Sequence, residues 1–103
     1  MVAASVRLCR ARTPADAIRV VVINSGNANA CTGQRGDQDA YQVARWAADA
    51  CAVQASQALV LATGVIGVAL PMERIRDGIA AISGRLAADD AALEAAARGM
   101  MTT

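Results

Sequence analysis

Residues 20–23 are Val20, Val21, Val22 and Ile23, four β-branched side chains in a row. Side chains branched at Cβ are stiff and pack well on a pleated surface. With Ile18 they form a strand over residues 18–23, and the continuous apolar character predicts burial on both faces. Helices must then cover that strand. The chain supplies them cheaply, because 26 of its 103 residues are alanine. Alanine-faced helices can lie close against a sheet, so the fold class is α/β, a mixed sheet with alanine-rich helices packed on it.

The rest of the chain fits that plan. Residues 2–8 read as a weak strand, and residues 10–17, with Pro14 and three charges, as a loop. Residues 24–36 hold three Asn, three Gly, one Ser and one Thr, a loop by composition. Asp37 or Asp39 caps a helix running to about residue 52, with Tyr41, Ala44, Ala48 and Cys51 on one face. Residues 58–62 form a second short strand. Residues 63–67, Thr-Gly-Val-Ile-Gly, form a turn or strand-to-helix elbow. Pro71 opens a helix in which Met72, Ile75, Ile79, Ile82 and Leu86 recur at spacings of 3 and 4. Asp89 or Asp90 caps a last helix to about Arg98, and Gly99 ends it.

Composition excludes several function classes. The net charge is +1, with ten Arg, no Lys and nine acids, which is too little positive charge for a nucleic-acid surface. No apolar run reaches the ~18 residues of a membrane span. The N-terminus lacks the order of a signal peptide, and Cys9, Cys31 and Cys51 read as reduced thiols of a cytoplasmic protein. With no His, the chain alone builds neither a Ser-His-Asp nor a Cys-His centre. Alanine buries little area, and there is one Trp, one Tyr and no Phe. A core of that composition is thin.

Chemistry can sit on two loops, since ligands in open α/β sheets bind beyond the carboxyl ends of strands. The first is Asn24-Ser25-Gly26-Asn27-Ala28-Asn29-Ala30-Cys31-Thr32-Gly33. Its Asn and Gly residues are equally what turns require. In the second, the Thr63 hydroxyl and the adjacent backbone N–H of Gly64 can face a developing negative charge as an oxyanion hole. A Thr-Gly pair is also a common strand terminator. Cys31 has only Arg35 nearby to lower its pKa, so it reads as a bystander, and Trp46 reads as packing.

Together these motifs resemble the ornithine acetyltransferase family, the bifunctional glutamate N-acetyltransferases of arginine biosynthesis. The resemblance rests on residues 24–33, on Thr63-Gly64-Val65-Ile66-Gly67 followed by Leu70-Pro71-Met72, and on the closing Met100-Met101-Thr102-Thr103. It implies a precursor about four times this length that cleaves itself into an α chain and a β chain. The N-terminal threonine of the β chain is then the nucleophile. Acetyl passes from N-acetylornithine to glutamate through an acetyl-threonine, some members also accept acetyl-CoA as donor, and no cofactor is required. The family assembles as an αβ heterotetramer. Thr63 and Gly64 map onto its oxyanion hole, and Thr102, with Thr103 beside it, onto a substrate contact.

On this resemblance residues 1–103 are one incomplete domain, an inner piece of the α chain. The self-cleavage segment, the nucleophile and the β chain are absent, so the piece is expected to be inactive alone. Two other readings stay open from the sequence: a stand-alone α/β module that binds an amino acid or anion, and a truncated relic without function.

Overall fold

A computed structural model describes residues 3–13, 17–83 and 90–99. The order is helix α1 (Ala4–Arg12), strand β1 (Val20–Asn27), helix α2 (Gly33–Ala50), a short 3-10 turn (Ala55–Gln57), strand β2 (Ala58–Val65), helix α3 (Met72–Ile82) and helix α4 (Asp90–Gly99). β1 and β2 pair in parallel, from Val20 opposite Ala58 to Asn27 opposite Val65. Parallel neighbours need a crossover, and α2 supplies it. The α/β class is therefore as expected, and the described part of the sheet is a parallel pair.

The alanine content shows in the core. Gly36, Ala40, Val43, Ala44, Ala47 and Ala48 form the buried stripe of α2, at spacings of 3, 4 and 1 that keep one helical face on the sheet. Of these, Ala40, Val43, Ala44 and Ala48 cluster with Ala58 and Val60 of β2, Ala4 and Leu8 of α1, and Leu70 and Ile79. Leu8, Val43, Val60 and Asn29 are the largest fully buried side chains. Trp46 packs against this cluster, as read from the sequence. Tyr41 does not share the buried stripe. It is 47% exposed, with the Arg12 guanidinium 5.1 Å from its ring centroid.

Five further expectations are corrected. Helix α2 begins at Gly33 with Thr32 at its N-cap, so Asp37 and Asp39, expected as caps, lie inside the helix. Residues 2–8 were expected to be a strand, and the chain instead forms helix α1 from Ala4. Ala4 and Leu8, one turn apart, both bury, and Arg10 and Arg12 in the last turn complement the helix dipole. Burial of β1 is one-sided. Val20 and Val22 pack on the core, but Val21, on the opposite face, is 52% exposed. Both strands run further than their apolar stretches, through Asn27 and Val65. Finally, Pro71 caps α3 from outside, with its carbonyl accepting from the Ile75 N–H at 3.1 Å. Ile79 is the buried member of the α3 stripe, and Ile82 is half exposed. Leu86 and Asp89 lie outside the described residues.

Candidate active site

The carboxyl ends of β1 and β2 carry both motifs and hold them side by side. In the parallel register Asn24 faces Ala62, Ser25 faces Thr63 and Gly26 faces Gly64. Thr63 and Gly64 thus belong to the end of a strand, and the expected elbow begins only after Val65. The reason is non-local: pairing with β1 continues past the apolar stretch. The Ala28 N–H donates to the Val65 carbonyl at 2.8 Å, and the Gly67 N–H donates to the Ala30 carbonyl at 2.8 Å.

Each asparagine of the first motif has structural work. The Asn24 amide donates to the Asn27 carbonyl at 2.9 Å, bridging over Gly26. The Asn27 amide reaches the Ala69 carbonyl at 3.5 Å. Asn29 is 1% exposed and sits at φ +53°, a left-handed conformation that Asn tolerates better than most residues. Its amide donates to the Gly36 carbonyl at 3.0 Å, and its Oδ1 accepts from Thr32 Oγ1 at 2.8 Å. Its carbonyl accepts from the Ala4 N–H at 3.2 Å, so the loop is tied to the starts of both α1 and α2. The turn reading of these residues therefore holds for their hydrogen bonds. It misses that residues 24–27 also extend the sheet.

Thr63 is half-buried and Gly64 exposed. Thr63 also lines an open cavity of about 460 Å³ between α1 and β2, together with Ser5, Cys9, Arg10 and Thr13. Helix α1 is fastened along β2 beside it. Cys9 Sγ donates to the Val60 carbonyl at 3.4 Å, and Arg12 Nη1 to the Ala58 carbonyl at 2.7 Å. Arg10 brings a positive charge to the cavity wall. Cys9, Cys31 and Cys51 are all free of disulfides. Thr102 and Thr103, the other predicted site residues, lie outside the described residues.

The sequence reading had Gly26 in the first loop but missed that it faces Gly64 across the strand pair. Its signal was spacing: Gly26 lies six residues past Val20, as Gly64 lies six past Ala58. In two parallel strands starting level, equal offsets bring the glycines together.

The chain has counterparts in sequence and fold among known proteins. The model of the ArgJ family matches residues 1–103. This chain belongs to the ArgJ family. The arginine biosynthesis bifunctional protein ArgJ of Rhodopirellula baltica is 46% identical over 103 residues, all of this chain and 25% of the relative. That of Symbiobacterium thermophilum is 48% identical over 101 residues, 98% of this chain and again 25% of the relative. The chain thus spans about a quarter of the length of these ArgJ relatives. Among solved structures, it is similar to ornithine acetyltransferase from Mycobacterium tuberculosis, crystallised in complex with ornithine. There the TM-score is 0.94 at 33% identity, over 99% of this chain and 55% of the other. The resemblance to ornithine acetyltransferases is borne out in sequence and in fold. Among the described residues, no helix is long and apolar enough to cross a membrane.

Proposed function

We propose that this chain is the segment of an ornithine acetyltransferase that carries the oxyanion hole. In this reading a threonine nucleophile from outside these 103 residues attacks the acetyl carbonyl of N-acetylornithine. Its own N-terminal amine activates it, which is why no histidine is needed. The carbonyl oxygen gains negative charge as the tetrahedral intermediate forms. The Thr63 hydroxyl and the Gly64 N–H donate to that oxygen. Ornithine leaves, acetyl stays on the threonine, and glutamate takes it in a second passage through the same geometry. Thr102 and Thr103 contact substrate. The enzyme uses no cofactor.

The observation that carries this reading is the position of Thr63 and Gly64. They end a parallel strand, where open α/β sheets place ligands, in a chain whose fold matches an ornithine-bound acetyltransferase. Two features agree with it. Arg10 gives the cavity beside Thr63 the charge that a carboxylate-bearing amino acid favours. Val65, Ile66 and Val68, just beyond Gly64, are 51–64% exposed, an apolar lip suited to burial by the rest of a longer polypeptide. Of the readings open from the sequence, the acetyltransferase segment is the one that family membership supports.

The test is a hybrid enzyme. Residues 1–103 replace the matching quarter of the Rhodopirellula baltica relative, and hybrid and parent are assayed for acetyl transfer from N-acetylornithine to glutamate. Transfer by both is expected. A folded hybrid that transfers no acetyl, beside an active parent, would overturn the assignment.

A further inference from the structure

The two glycines that face one another across the strand pair are not equivalent. Both hold φ values that L side chains rarely adopt, +126° at Gly26 and +123° at Gly64. Gly64 is also closed in. A Cβ built on it would lie 2.8 Å from Gly26 Cα and closer still to the Gly26 carbonyl group. A Cβ built on Gly26 would meet nothing within 4 Å. Gly26 is therefore glycine for its backbone angle alone, and its peptide group is the wall against which Gly64 rests.

That wall is held from both sides. The Asn24 amide bridges over Gly26 to the Asn27 carbonyl. Beyond it, the Ala28 N–H holds the Val65 carbonyl, next in the chain after Gly64. Any residue with a Cβ at position 26 would turn its backbone away from φ +126°, since that region is nearly closed to L residues. The atoms that move are those touching Gly64. An oxyanion donor works only within a few tenths of an ångström of its target, so the displacement reaches the chemistry without touching substrate.

We infer that Gly26 is a positioning residue that sets the Gly64 amide for the oxyanion, an inference that rests on the function proposed above. The first motif then serves the second: residues 24–28 are the frame and Thr63-Gly64 the tool.

The hybrid enzyme tests this with four variants, each assayed per folded molecule. Gly26→Ala is expected to lower kcat roughly 10- to 100-fold, the scale of a small misplacement near the chemistry, with KM held within about twofold. Asn24→Ala keeps the glycine and removes one hydrogen bond that braces it. It is expected to lower kcat several-fold in the same pattern. Gly33→Ala is the control: φ is +64°, a Cβ there meets nothing within 4 Å, and the residue lies at the start of α2. It puts an alanine at a positive φ too, with the milder strain of the left-handed region and outside residues 24–28, and keeps the hybrid's kcat. Thr63→Ala reports on the underlying reading. If it leaves kcat unchanged, the proposed function fails and this inference with it. If Thr63→Ala lowers kcat while Gly26→Ala does not, or Gly33→Ala loses as much as Gly26→Ala, the positioning role alone is overturned. If Gly26→Ala yields no folded enzyme, Asn24→Ala decides, and an unchanged kcat there overturns the role.

Discussion

The Asn29 side-chain amide donates to the Gly36 carbonyl at 3.0 Å, joining a buried loop residue to the first turn of α2. Thr32 completes the arrangement by donating its hydroxyl to Asn29 Oδ1 at 2.8 Å. These bonds leave no space at Gly36. A Cβ there would come within 2.8 Å of both Asn29 Oδ1 and Thr32 Cβ, and nearer still to Thr32 Oγ1.

Gly36→Ala should therefore destabilise the hybrid enzyme. Alanine favours the helix, but Thr32 must turn away and Asn29 loses a partner inside the protein. The net cost expected is about 1–3 kcal/mol, as for other overpacked sites. Urea unfolding measures it through the midpoint and slope. A midpoint equal to the parent's would show that the clash relaxes without cost.

Leu8 is fully buried in α1, against a core built largely of alanine. Leu8→Ala is expected to cost about 2–5 kcal/mol, the range for truncating a buried leucine. Small neighbours cannot reach into the space left behind, which favours the upper part of that range. The same unfolding measurement applies, and a loss below about 1 kcal/mol would mean that α1 is not anchored there.

Much of this fold was legible in local sequence. The β-branched run of residues 20–23 marked β1, the periodic Met72, Ile75 and Ile79 marked α3, and a last helix was expected where α4 runs from Asp90 to Gly99. Helix α1 was not legible. Residues 2–8 are of mixed, weakly strand-like character, and what decides otherwise is contact with β2, some fifty residues away: Cys9 to Val60 and Arg12 to Ala58. The strand ends were hidden for the same reason. Asn24, Gly26 and Gly64 look like loop residues until the register pairs them. At the candidate site, Thr63 and Gly64 stood out through their motif, whereas the contact of Gly64 with Gly26 depends on how two distant strands align.

Arg7 and Asp37 link α1 to α2. Arg7 Nε donates to Asp37 Oδ1 at 2.8 Å, and its Nη2 bonds the same oxygen. The side chains are 46% and 39% exposed, so water and salt screen the pair. A double-mutant cycle with Arg7→Ala and Asp37→Ala should give a coupling of no more than about 1 kcal/mol, smaller at 1 M salt. A coupling of several kcal/mol that salt leaves unchanged would mean that the contact is far drier than its exposure indicates.

The most direct measurement is kcat for acetyl transfer by the hybrid enzyme carrying Thr63→Ala, with Thr63→Ser beside it. If the Thr63 hydroxyl donates to the oxyanion, alanine lowers kcat by roughly 10²–10³-fold, and serine, which keeps the hydroxyl, retains most of the activity. A folded Thr63→Ala enzyme that turns over at the parental rate would contradict the assignment of Thr63 and Gly64 as the oxyanion hole.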